Sequence, residues 1–116
     1  MPATEFTNKN VLAVIPAYNE AERISAVISR TREYLPVLVV DDGSVDDTSA
    51  IARLNGAEVL VQHPNQGKGA ALLAGFRYGV DHGYEAVLTL DADGQHDPAE
   101  IPLFLAEFNR GADLVI

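Results

Sequence analysis

Five short apolar runs punctuate the chain, at residues 11–15, 37–40, 59–61, 86–90 and 114–116. Their apolar positions are successive rather than alternate, as in strands of a parallel sheet covered on both faces. The first run closes at Pro16 and the second at Asp41 and Asp42. Between the runs the spacing becomes helical. Ile24, Val27, Ile28 and Leu35 fall near i, i+3, i+4 and i+11, one stripe of a helix. Asn19 is placed to cap that helix, with Glu22 three residues on. Ser44 and Asp47 signal the start of a second helix, through about Leu54. Leu72, Phe76 and Val80 mark the stripe of a third, ending near Gly83. Asp97, Pro98 and Glu100 open a fourth, with Ile101, Phe104, Leu105 and Phe108 as its stripe. Pro102 is awkward inside that helix and suits its first helical position better.

Alternating strands and helices predict an α/β fold: a doubly wound, mostly parallel sheet with helices on both faces. Right-handed crossovers leave few layouts. If the strand order reverses after the first strand, the carboxyl ends of the first and fourth strands lie side by side. Ligands of open α/β sheets bind at such a switch point. Residues 16–20 and 91–96 would meet there, and both carry polar residues that the strand pattern does not require.

Asp91-Ala92-Asp93 follows the fourth apolar run. Two carboxylates at i, i+2 on a strand end can reach one ion or its bound waters, and Mg²⁺ commonly takes one or two carboxylates plus substrate phosphates. The bland alternative is a turn or helix cap, which Asp and Gly favour. Asp41-Asp42-Gly43-Ser44 ends the second strand. An acid there can accept hydrogen bonds from a ribose or a base. Ser44, Asp46 and Asp47 are accounted for by a turn and a cap, whereas a doubled acid is not, so Asp42 is the functional candidate. Tyr18 could stack on a base, with Asn19 and Glu20 within hydrogen-bonding reach of it; equally, Pro16 ends a strand and Asn19 caps a helix. Gln66-Gly67-Lys68-Gly69 leads into the third helix, whose N-terminus is a natural anion site that Lys68 would strengthen. The spacing matches neither G-x-x-x-x-G-K-[ST] nor G-x-G-x-x-G, because Leu72 takes the last position. Close packing of Gly69, Ala70, Ala71, Ala74 and Gly75 on the sheet is the better account of the small residues, and it leaves the role of Lys68 open.

Composition narrows the classes. With 116 residues, 47% of them hydrophobic, the chain suits one packed domain. There are 17 acidic and 8 basic side chains, a net charge of −9; nucleic-acid binding wants clustered Lys and Arg instead. The absence of Cys excludes a disulfide framework, a Cys-ligated zinc site and a thiol nucleophile. His63, His82 and His96 lack zinc spacing, and no G-x-S-x-G elbow is present. His63 and His82 suit loops or the surface, while His96 lies near the acid pair. No apolar run approaches the ~20 residues of a membrane helix, and residues 1–10 are polar without a signal-peptide core.

Taken together the motifs resemble glycosyltransferase family 2, of the GT-A fold. The matching pieces are Val14-Ile15-Pro16-Ala17-Tyr18-Asn19-Glu20, Val40-Asp41-Asp42-Gly43-Ser44 with Asp46 and Thr48, Asn65-Gln66-Gly67-Lys68-Gly69, and Asp91-Ala92-Asp93-Gly94-Gln95-His96. They run in the family's order. The last piece, with Pro98, looks most like the branch of dolichyl- or polyprenyl-phosphate sugar synthases, which move a hexose from a GDP- or UDP-sugar to a lipid phosphate. The resemblance implies a metal-dependent inverting glycosyltransferase using Mg²⁺ or Mn²⁺. Pro16, Ala17, Tyr18, Glu20 and Asp42 would hold the nucleoside. Asp91 and Asp93 would bind the metal and sugar diphosphate as the catalytic pair, with Lys68, Ala92 and Gln95 completing the nucleotide-sugar site. A lipid phosphate is already ionised and needs no general base, unlike a sugar hydroxyl.

Family members continue well beyond this length, so we expect residues 11–116, after a polar segment 1–10, to be the donor-binding part of a longer enzyme. Such a chain would fold at least partly without transferring sugar, and would fray or self-associate through a sheet edge near residues 113–116. The expected location is cytoplasmic, with the longer form membrane-associated and its partners a nucleotide sugar and a lipid phosphate, not nucleic acid. Three alternatives are a catalytically silent nucleotide-binding or interaction module, a family 2 enzyme with a saccharide acceptor, and a nucleotidyltransferase. The last would want a glycine-rich basic loop where residues 16–20 stand.

Overall fold

The computed structural model describes residues 10–93 and 100–103. Seven elements follow in chain order: β1 (Val11–Ala17), α1 (Ile24–Thr31), β2 (Val37–Asp41), α2 (Thr48–Leu54), β3 (Glu58–Val61), α3 (Lys68–Asp81) and β4 (Ala86–Thr89). Residues 101–103 are helical, with Pro102 inside the turn. The remainder of the fourth expected helix and the fifth strand lie outside the described residues.

The four strands form one sheet in the order β3-β2-β1-β4, and every pairing is parallel. Val14 aligns with Leu38 of β2 and with Thr89 of β4. The chain therefore builds outward through β2 and β3, then crosses back to the other side of β1. The reversal falls between β1 and β4, as the strand pattern predicts. This is the doubly wound, GT-A-like nucleotide-binding arrangement.

The continuous apolar runs are explained by two cores. On one face Ala13, Ile15 and Ala17 pack with Ile24, Val27 and Ile28 of α1, Ala52 of α2 and Ile101. On the other, Leu12 and Val14 pack with Leu38, Val40 and Ala71 of α3. Successive β1 side chains serve opposite layers, so each position must be apolar.

The face of α3 differs from the expected one. Its buried residues are Ala71, Gly75 and Gly79, while Phe76 and Val80 of the expected stripe are exposed. A Cβ at Gly75 would lie 2.5 Å from Cγ1 of Val14. The helix thus lies so close to β1 that small residues, not large ones, face the sheet.

The start of α1 also departs from expectation. Its first residue is Ile24, and Arg23 stands at the cap without a side-chain cap bond. Asn19 adopts a left-handed φ of 54°, a conformation Asn tolerates better than most residues. Its amide donates to Ser44 Oγ at 2.8 Å and its Oδ1 accepts from the Val45 amide at 2.9 Å. Asn19 therefore ties the β1–α1 loop to the β2–α2 loop instead of capping a helix. Ser44 is likewise absent from the cap of α2, which is Asp47, again with no side-chain cap bond.

Candidate functional site: a cleft at the strand switch point

Pro16 explains how the cleft opens. Within a parallel strand each residue's N–H and C=O face one neighbour, alternating along the chain. The Ala13 amide donates to Pro36 and the Ala17 carbonyl accepts from Asp42, both on the β2 side. Position 16 therefore faces β4. Pairing on that side ends where the Leu90 amide donates to the Val14 carbonyl at 3.0 Å. The donor that proline lacks falls beyond the last rung, so no ladder bond is lost. Past this point the strands separate, and residues 91–93 leave the sheet beside residues 16–20.

The resulting cleft has a volume of about 310 Å³. It is lined by Pro16, Ala17, Tyr18, Glu20, Asp42, Lys68, Asp91, Ala92 and Asp93, together with Ala71. The sequence singles out the first nine for a nucleotide sugar, and the fold brings them to one place. Ala71 appears in the sequence as a packing residue; it serves the core and the cleft floor together. Gln95 and His96 lie outside the described residues. His63 and His82 are exposed, as expected; His82 stacks on Tyr78 with ring centroids 3.8 Å apart.

Each acidic segment is held differently. Ala92 is 4% exposed and turns into the core, leaving Asp91 and Asp93 half-buried on the cleft wall. Lys68 Nζ lies 2.9 Å from Asp91 Oδ1, an ion pair joining the start of α3 to the end of β4. Glu20 accepts from Arg23 Nη2 at 2.5 Å and from Nε at 3.1 Å. That hydrogen bond first, and then the charge of Glu20, raise the Arg23 guanidinium above its ordinary pKa, with Asp93 adding to the rise. Arg23 carries no motif signal, yet it joins the electrostatics of the cleft through Glu20 and Asp93.

Asp42 is 5% exposed, and each of its carboxylate oxygens accepts from one backbone donor. Its Oδ1 accepts from the Gln66 amide and its Oδ2 from the Gly67 amide, both at 2.7 Å. Asn65 Nδ2 donates to the Asp42 carbonyl at 2.9 Å. Gly43 makes this approach feasible, since its φ is +76° and a Cβ there would lie 2.9 Å from the Asn65 nitrogen. The doubled acid thus has a structural account. Asp41 accepts from the Ser44 amide and the Ser49 hydroxyl, and Asp42 holds the loop before α3. A carboxylate offers about four acceptor directions, so Asp42 retains capacity toward the cleft.

Asp46 and Thr48 brace the rim. Asp46 accepts from the Thr48 amide and hydroxyl and from the Ala21 amide at 3.2 Å. Burial pushes its pKa up, but these hydrogen bonds outweigh that and hold it below the ordinary 3.8. Thr48 Oγ1 in turn accepts from the Glu20 amide at 3.0 Å.

Among the described residues no group of three or more His, Asp or Glu side chains could hold a metal ion alone. Asp91 and Asp93 suit a different mode, in which a cation shares two carboxylates with a bound diphosphate. The Lys68 ammonium provides a positive charge beside Asp91 in this structure.

The family description "Glycosyl transferase family 2" matches residues 12–116. The chain belongs to that family. This family 2 chain is 44% identical to undecaprenyl-phosphate mannosyltransferase of Micrococcus luteus over 91% of its own length and 46% of that protein's. It is 40% identical to polyprenol monophosphomannose synthase of Mycolicibacterium smegmatis, over 99% of its length and 47% of the relative's. It thus spans about half the length of these curated relatives. Its fold matches glucosyl-3-phosphoglycerate synthase from Mycobacterium tuberculosis in complex with uridine diphosphate, with a TM-score of 0.69 and 26% identity over 89% of this chain and 41% of that one. Among the described residues no helix is long and apolar enough to cross a membrane.

Proposed function

We propose that this family 2 chain binds the nucleotide-sugar donor of a glycosyltransferase that passes a hexose to a polyprenyl phosphate. The observation that carries the reading is the convergence of Tyr18, Glu20, Asp42, Lys68, Asp91 and Asp93 on one cleft at the strand switch point. Tyr18, 49% exposed, offers a face for the base. Glu20 and Asp42 accept from the nucleoside. Lys68 donates to the diphosphate, while Asp91, Asp93 and, by the family resemblance, Gln95 hold the metal and the sugar end. Asp91 and Asp93 would hold Mg²⁺ or Mn²⁺, which would offset charge growing on the leaving group.

In the reaction an oxygen of the acceptor phosphate attacks the anomeric carbon. The bond from that carbon to the nucleoside diphosphate breaks, and its electron pair leaves with the β-phosphate. The configuration inverts. No proton need be removed from an ionised phosphate, so the reaction needs no general base. The lipid acceptor is supported by the two relatives at 44% and 40% identity, whose names specify polyprenyl-type acceptors. It places the working enzyme at a membrane surface. The structural likeness to a synthase acting on phosphoglycerate favours, as a second reading, a small phosphorylated or saccharide acceptor.

Titration calorimetry with UDP and GDP tests the donor site. We expect Mn²⁺ to tighten binding of one nucleotide at least about tenfold, or ~1.4 kcal/mol, and Asp93→Ala to remove that gain. Equal affinity in EDTA sinks the metal assignment, and failure of both nucleotides to bind sinks the donor reading. In a longer enzyme carrying this chain as its donor-binding part, label passing from a GDP- or UDP-hexose to undecaprenyl phosphate, rather than to phosphoglyceric acid, supports the lipid acceptor; the reverse replaces it.

A further inference from the structure

The cleft lining pairs one basic side chain, Lys68, with four carboxylates, Glu20, Asp42, Asp91 and Asp93. Three of these carboxylates show different kinds of holder. Asp42 is held by backbone amides, which stay in place when a ligand arrives. Glu20 is held by Arg23, three residues along the same segment. Asp91 is held by Lys68, a residue 23 positions away on another element, whose side chain is 64% exposed. Of these contacts, that between Lys68 and Asp91 is the most readily exchanged. An ammonium on a flexible four-carbon stem can move without disturbing the fold.

We infer that Lys68 is a resident counter-cation of the acid pair, exchanged when donor and metal bind. Without nucleotide its ammonium sits against Asp91 and competes with a divalent cation for that carboxylate. An arriving diphosphate carries more negative charge than Asp91 and draws Lys68 away. Asp91 then becomes available to the metal, which is held by the same diphosphate. Metal and nucleotide consequently bind with positive coupling, and each raises the affinity of the other by the same factor. The inference deepens the donor-site reading and rests on it; it assigns Lys68 a gating role that diphosphate contact alone does not entail.

The test compares the parent chain with Lys68→Met, Lys68→Arg and Asp91→Asn. Mn²⁺ binding is followed by electron paramagnetic resonance, alone and with saturating UDP or GDP. Lys68→Met should bind Mn²⁺ alone tighter by about 1.4- to fivefold, the range of an exposed ion pair. The ratio of Mn²⁺ affinities with and without nucleotide should shrink by at least that factor. Lys68→Arg keeps the charge and should stay near the parent. Asp91→Asn releases the ammonium and should bind nucleotide in EDTA more tightly than the parent. The exchange is overturned if Lys68→Met binds Mn²⁺ alone no tighter, or if Asp91→Asn leaves metal-free nucleotide affinity unchanged or weaker. A parent chain whose nucleotide affinity ignores Mn²⁺ overturns the donor-site metal as well, so the two failures are distinguishable.

Discussion

Asp42 meets a structural demand besides the binding role proposed for it. Its carboxylate accepts from two amides of the loop before α3, so removing it strands both donors in a site only 5% exposed. Hydrogen bonds to a charged group are worth roughly 1.5–3 kcal/mol. We therefore expect Asp42→Ala to lower stability by about that amount in urea unfolding, and to weaken nucleotide binding because Lys68 follows the loop directly. From sequence, a binding role alone would predict weaker affinity with folding nearly unchanged. An unshifted urea midpoint would remove the loop tether from the account. The acid pairs were legible as candidates because hydrophobic patterning does not explain them. Their partners were not: the Gln66 and Gly67 amides stand 24 and 25 residues from Asp42, and no local rule foretells a bond across that distance. The same holds for Asn19, whose cap-like position is overridden by a tie to Ser44 and Val45.

At the scale of elements, the central strands β1 and β2 were readable because they are covered on both faces and so are apolar almost throughout; the edge strand β3 is half-exposed and kept only a short apolar run. The inward face of α3 was readable only in part: the small-residue packing named Ala71 and Gly75, which do face the sheet, but also Gly69, which does not, while the large-residue stripe of Leu72, Phe76 and Val80 pointed elsewhere. The physical cause is close approach, and it makes one substitution act with opposite sign at two sites of the same helix. At Gly69 a Cβ would meet nothing within 4 Å. Gly69→Ala should therefore stabilise by roughly 0.5–1 kcal/mol through reduced backbone entropy in the unfolded chain. At Gly75 the added atom would sit 2.5 Å from the buried Val14 side chain. Overpacking costs of about 1–3 kcal/mol exceed the helical gain, so Gly75→Ala should destabilise. Chemical denaturation of both variants checks the pair; a Gly75→Ala protein as stable as Gly69→Ala would mean that α3 can retreat from β1 without cost. The close fit also bears on the cleft, since Lys68 and Ala71 reach it from the first turns of this helix.

For the molecule as a whole, the net charge of −9 opposes the ligand proposed for it. A nucleoside diphosphate is an anion and approaches a like-charged protein; Lys68 attracts it only at close range, and a divalent cation is attracted from afar. Screening acts on these ranges unequally. The Debye length falls from ~30 Å at 0.01 M salt to ~8 Å at 0.15 M, a change that removes most of the distant repulsion but little of a contact at 2.9 Å. Raising NaCl across that interval in EDTA should therefore speed association of UDP or GDP. The same change should weaken Mn²⁺ binding in the absence of nucleotide, because the attraction of the acidic surface for a cation is screened with it. Stopped-flow association and Mn²⁺ titration at matched ionic strengths read the two trends. Nucleotide association that slows with salt would mean that the field at the cleft mouth is set by Lys68 and the α3 N-terminus rather than by the surplus of acids. In that case the metal would be needed for the sugar end of the donor alone, not to bring the nucleotide in.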